Sequence, residues 1–98
     1  MPSPHAIHPP PDGFSGPVKR SVTIAGHQSS VSLEPAFWTA LEAAARARAL
    51  PLSALVARID VLRIGRPDPP NLASAIRTWL LHDLQSTRNS VDSENQSQ

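Results

Sequence analysis

The 98-residue sequence predicts a mainly α fold with a short β-ribbon. Three observations carry this. Apolar residues alternate with hydroxyls between positions 21 and 33, the period then lengthens to about three and a half, and prolines divide the helical part into three segments.

The two strand-like runs are Ser21 to Ile24 and Ser29 to Leu33, separated by Ala25-Gly26-His27-Gln28 with a turn-competent glycine. Val22 and Ile24 share one face while Ser21 and Thr23 share the other, and Val31 and Leu33 likewise oppose Ser30 and Ser32. One face of the ribbon is therefore expected to be buried and the other polar.

After Leu33, Glu34-Pro35 opens a helix over 35–49, with proline tolerated in the first turn and a carboxylate favoured by the N-terminal dipole. Phe37, Trp38, Leu41, Ala44 and Ala45 form its apolar stripe. Pro51 ends it and pre-sets a second helix over 52–64, on which Leu52, Leu55, Val56, Ile59 and Leu62 recur at helical spacing. Gly65 to Pro70 holds three prolines in four residues and reads as a linker. Asn71 then reads as an N-cap for a third helix over 72–86, with Leu72, Ala75, Ile76, Trp79, Leu80 and Leu84 on one side. Both tryptophans fall on these stripes, which favours core packing over base stacking.

Residues 1–17 hold more than half of the eleven prolines and read as a disordered arm; residues 87–98 are polar and unpatterned and read as a frayed tail. The folded unit is thus expected over 18–86. A domain this small buries too little surface to be comfortable alone, so a second copy is expected to complete the core. All nine Lys and Arg lie between Lys19 and Arg88 together with five of the eight acids, so this stretch carries nine minus five, or +4. A positive body suits a polyanionic partner.

The absence of cysteine excludes disulfides and thiolate zinc sites and fits a reducing compartment, so a cytoplasmic location is expected. No apolar run is long enough to span a membrane, and no signal peptide is recognisable. Catalysis is not expected: His5 and His8 lie in the arm, His27 in the turn and His82 near the end of the third helix. No carboxylate pair or Gly-rich phosphate loop stands out. No cofactor or metal is expected.

The chain over about Ser29 to Ile64, and above all its stretch SSVSLEPAFWTALEAAARARALPLSALVARID, resembles the Arc-, MetJ- and CopG-like ribbon-helix-helix repressors. KRSVTIAGHQSSVSLEPAFWTAL followed by NLASAIRTWLL is similar to a bacterial subfamily with an added strand and helix. The resemblance implies an intertwined homodimer in which strands from two copies pair. Val31, Leu33, Phe37, Trp38, Leu41, Leu55 and Ile59 would form the dimer core. It also implies that the ribbon enters the major groove of double-stranded DNA as a transcriptional regulator, a repressor in the family's usual mode, with higher-order assembly on DNA left open.

On this reading Gln28, Ser30 and Ser32 face the bases, where glutamine pairs with adenine and serine reads edges less selectively. Lys19, Arg20 and His27 would touch phosphates, and the backbone amides of Leu52 and Ser53 with the Ser53 hydroxyl would hold another. KRSVTI is itself an alternating strand, so Arg20, Ser21 and Thr23 facing the groove is the alternative register. The rival function is an antitoxin-like dimer whose third helix or Pro-rich arm holds a protein partner.

Overall fold

A computed structural model describes the backbone of residues 4–96 and the side chains of residues 4–89. Residues 4–17 form neither helix nor strand and are exposed; a turn closes where the Gly13 amide donates to the Pro10 carbonyl at 2.9 Å. Then follow strands β1 (Val18–Ile24) and β2 (His27–Leu33) and helices α1 (Pro35–Ala47), α2 (Leu52–Ile64) and α3 (Leu72–Gln96). The architecture is mainly helical, with one two-stranded antiparallel sheet. Among the described residues no helix is long and apolar enough to cross a membrane.

The strands are longer than the sequence suggested and pair with each other inside one chain, in the register Val18↔Leu33, Arg20↔Val31, Val22↔Ser29 and Ile24↔His27. The pairing of strands from two copies that the resemblance implies concerns the other edge of the sheet. β1 meets the ladder of β2 on one side. The turn shrinks to Ala25-Gly26, which frees His27 and Gln28 for the strand. Both central residues have positive φ, 50° at Ala25 and 83° at Gly26, as a type I′ hairpin turn requires.

The inner sheet face contributes Val22, Ile24, Val31 and Leu33 to a core completed by Trp38, Leu41, Ala44 and Ala45 of α1, Leu55, Val56 and Ile59 of α2, and Ile76 and Leu80 of α3. Leu33, Leu41, Ile76, Leu80 and Val56 are the largest of the fully buried side chains. Burying each such side chain stabilises by about 1.5–3 kcal/mol. Of the residues expected in a dimer core, all but Phe37 are buried within a single chain, and Phe37 is partly buried. Trp38 is buried with its indole N–H satisfied by the Val18 carbonyl at 2.9 Å, which fastens β1 over α1.

α1 closes two residues earlier than expected. The Leu50 amide donates to the Ala45 carbonyl and the Ala49 amide to that of Arg46, with Ala49 at φ 54°. This is a Schellman closure with alanine in the position glycine usually takes. Asn71 caps α3, its side-chain oxygen accepting from the Ser74 amide at 2.8 Å. α3 runs to Gln96, ten residues past the expected end, so the polar tail is helical rather than frayed. Residues 87–96 contain neither proline nor glycine, and a helix nucleated on a packed segment propagates one hydrogen bond per residue. The last two residues of that expected tail lie outside the described residues. Leu62 and Leu84, read from spacing as core, are more than half exposed.

Two outcomes are expected. Replacing Ser21 and Ser30, which face each other across the ladder, by Ser21→Cys and Ser30→Cys in this cysteine-free chain should give an oxidised product that runs as a monomer on a non-reducing gel. A disulfide-linked dimer would show that the strand pairs between chains. Ala25→Asn should raise stability by about 0.5–1 kcal/mol, because an L residue with a Cβ is strained at positive φ and asparagine tolerates it. Thermal denaturation should register this as a rise of a few degrees in Tm.

Candidate nucleic-acid interface

Strand alternation and the register together decide what the outer sheet face presents. Lys19 sits opposite Ser32, Ser21 opposite Ser30, and Thr23 opposite Gln28. Successive residues point to opposite faces, and the alternate residues Val22, Ile24, Val31 and Leu33 are buried, so these six share the solvent face. Every one is polar and one is cationic. Lys19, Ser21, Thr23, Gln28 and Ser30 are exposed, and Ser32 is half-buried.

The two registers weighed from sequence therefore merge. Ser21 and Thr23 lie on the same face as Gln28, Ser30 and Ser32, while Arg20 does not. Arg20 faces the helices: its guanidinium stacks 4.5 Å from the Trp38 ring centroid and donates to Glu42 Oε1 at 2.8 Å. His27 pairs with Ile24 on the inner row, at the exposed end of the hairpin. The alternation of Lys19, Ser21 and Thr23 was visible in the sequence. What was hidden was the pairing that brings them beside β2.

Strand, helix, tight closure and helix follow in order behind this face. The model of the ribbon-helix-helix domain matches residues 17–84. The chain belongs to the ribbon-helix-helix family. No curated protein and no solved structure matches the chain. The match takes in β1 and most of the packed part of α3, so both added elements are part of this ribbon-helix-helix domain.

Arg20 is one of three arginines built alike. Arg48 stacks on Trp79 at 4.9 Å and pairs with Asp83, one turn further along α3. Arg77 lies over Phe37 at 5.6 Å and donates from Nε and Nη2 to Glu34 Oε1 at 3.0 and 2.9 Å. Each arginine thus spans two elements, holding an aromatic ring with its face and a carboxylate with its edge. Asp60 pairs with Arg63 at 2.8 Å within α2.

These pairs shape the electrostatics of the ribbon-helix-helix body. Of the five acids between Lys19 and Arg88, Glu34, Glu42, Asp60 and Asp83 are in ion pairs. Among the described residues that leaves Asp68 as the unpaired acid of this stretch, against Lys19, Arg46, Arg58, Arg66 and Arg88 as unpaired cations. The net positive charge is accordingly carried by side chains at liberty to meet an anion.

At the start of α2 no side chain caps the helix, and the first amide donors paired are those of Ala54 and Leu55, both to the Pro51 carbonyl. The amides of Leu52 and Ser53 are thus the orphan donors of the first turn, where the helix dipole favours an anion. Trp38 is core, and Trp79 is partly buried beneath Arg48. Among the described residues no group of histidines and acids is arranged to hold a metal.

Glu34 joins the end of β2 to α3, and its carboxyl is held below the usual value of 4.5. The main cause is backbone hydrogen bonding at Glu34 itself; next comes the hydrogen bond from Arg77, with burial opposing. A lowered folded-state pKa contributes stability that is present above the unfolded value and lost as pH falls through the folded one. Tm should therefore drop as pH is lowered from about 5 into the acid range, and the Glu34→Gln chain should lose less over that window. Equal slopes for the two chains would show that Glu34 is not coupled to folding.

Proposed function

We propose that this chain is a transcriptional regulator, a repressor in mode, that works as a homodimer and lays its polar sheet face in the major groove of double-stranded DNA. The observation that carries the reading is a sheet sealed by core on one side and formed on the other by Lys19, Ser21, Thr23, Gln28, Ser30 and Ser32 alone. A face of hydroxyls, an amide and one ammonium is chemistry for base edges and phosphates, not for a protein core. Gln28, Ser30 and Ser32 are the proposed base contacts. Lys19, His27 and the Leu52 and Ser53 amides are the proposed phosphate contacts; Arg20, committed to Trp38 and Glu42, is the weakest of the original set.

Dimerisation is supported by α2, which is apolar on both sides. Leu55, Val56 and Ile59 face the core, while Val61, Leu62 and Ile64 are more than half exposed. A helix apolar all round is normally covered. A second copy is the proposed cover, with assembly beyond the dimer on DNA left to the operator's layout. The reading involves no catalysis, cofactor or metal and implies a cytoplasmic, nucleoid-associated protein.

A second reading, an antitoxin-like regulator that also holds a protein partner, is favoured by exposed Leu81 and Leu84 of α3. They flank an apolar groove shared with Phe37 and Ala40 of α1.

The DNA reading is tested by titrating the purified protein against duplex fragments of its own genome at several salt concentrations. Affinity should fall steeply with salt, by about 0.9 in the log–log slope for each phosphate neutralised. Lys19→Ala should flatten that slope by about one per half-site and weaken all sequences alike, whereas Arg20→Ala should chiefly lower Tm. Salt-insensitive or absent binding would remove the reading and leave the partner-binding one.

A further inference from the structure

We propose that the cleft between α2 and α3 is a binding site for an aromatic α-amino acid, with its ring held against Trp79 and its carboxylate and ammonium met by Arg66 and Asp68. The site is separate from the polar sheet face and does not depend on the DNA-binding reading.

Helical spacing builds the cleft. Ile59, Leu62, Arg63 and Arg66 recur at i, i+3, i+4 and i+7 and form one row on α2. Ala75, Thr78, Trp79 and His82 repeat the same spacing on α3. Between the two rows lies a cleft of about 510 Å³, bordered at one end by Asp68 and Pro70 of the linker. Small-molecule sites have volumes of roughly 300–1,000 Å³ and often form between packed helices. The core ends at Ile59 on this side of α2, and Leu62, next along the row, is 64% exposed. Val61 and Ile64 do not line the cleft; on a helix of about 3.6 residues per turn they fall on the far side of α2, the side proposed above for a second copy.

Chemistry assigns the two halves of the ligand. Ile59, Leu62, Ala75 and the partly buried Trp79 give the cleft an apolar floor. Arg48 stacks on Trp79 at 4.9 Å without lining the cleft, so it braces the indole from the other side. A flat ring held in one orientation favours an aromatic partner in offset or edge-to-face packing. At the linker end Arg63 is already engaged: it pairs with Asp60 and donates to the Pro70 carbonyl at 3.1 Å, which pins the linker to α2. Arg66 and Asp68, separated by Pro67 in that pinned bend, have no ion-pair partner among the described residues. Free charges of both signs at one mouth suit a zwitterion. A simple anion would meet Asp68, and a simple cation Arg66, with the wrong sign. An α-amino acid carries its carboxylate and ammonium on a single carbon, with the aromatic ring one methylene away, and so matches a charged mouth beside an apolar floor.

The test is calorimetric titration of the full chain with L-phenylalanine, beside 3-phenylpropionate, which lacks the ammonium, phenethylamine, which lacks the carboxylate, and glycine, which lacks the ring. L-phenylalanine should bind, and each truncated probe should bind about fivefold more weakly or not at all. Arg66→Gln and Asp68→Asn should each weaken L-phenylalanine about five- to tenfold while leaving the Tm of the ligand-free chain unchanged, since both side chains are exposed. L-phenylalanine should also shift the tryptophan emission. Trp79→Phe, which keeps a ring in the cleft, should abolish that shift while calorimetric binding persists. The proposal is overturned if L-phenylalanine does not bind, if 3-phenylpropionate or phenethylamine binds as well, or if the two charge variants bind like the wild type. It is equally overturned if emission does not change, or if Trp38 still reports the ligand in the Trp79→Phe chain.

Discussion

Burial of one face of a seven-residue hairpin is the constraint on which the rest of this molecule depends. Val22, Ile24, Val31 and Leu33 are nearly inaccessible, and together they form the floor on which all three helices converge. Because a strand exposes alternate residues to opposite sides, committing these four to the core leaves the six polar neighbours no other place than solvent. A slip of the register by one residue would turn hydroxyls into the core and valines outward. The polar face is thus a consequence of the core, and its composition is protected by the same energy that folds the domain.

The arginine clasps act on the layer above. Exposed ion pairs of this kind stabilise little by charge alone, but each of these arginines is also flattened against an aromatic ring, which narrows the conformations open to it. Arg20 ties β1 to α1, Arg48 ties the end of α1 to α3, and Arg77 ties α3 back to the β2–α1 junction. The three contacts close a circuit around the core. They also consume acids, so a body of modest net charge presents mainly free cations at its surface.

The order and type of elements were legible in the sequence because each rests on local rules. Alternation gave SVTI and SSVSL as strands, prolines at 35 and 51 opened helices, the run from Gly65 to Pro70 broke the chain, and Asn71 capped what followed. Lengths were less legible. Of the outer strand residues, Lys19, Arg20, His27 and Gln28 carry no strong strand preference and are extended where a partner strand lies beside them, and Val18 stood alone between Pro17 and Lys19 with no alternation to continue. The end of α3 is helical for want of a breaker, a negative signal that composition obscures.

The sequence by itself determined which residues alternate, where helices begin, and that a polar strand face would oppose an apolar one, since periodicity and backbone chemistry act within a few residues. Only the tertiary structure decided which strand pairs with which and hence which side chains stand together. Arg20 and Lys19 are adjacent in sequence, yet one is pinned to Trp38 and Glu42 beneath the sheet and the other is offered above it. Ser21 and Thr23 became neighbours of Ser30 and Gln28 only once a two-residue turn at Ala25-Gly26 set the register. Cross-strand proximity arises from hydrogen bonds between segments whose separation along the chain carries no period of its own, and so it had to be built before it could be seen.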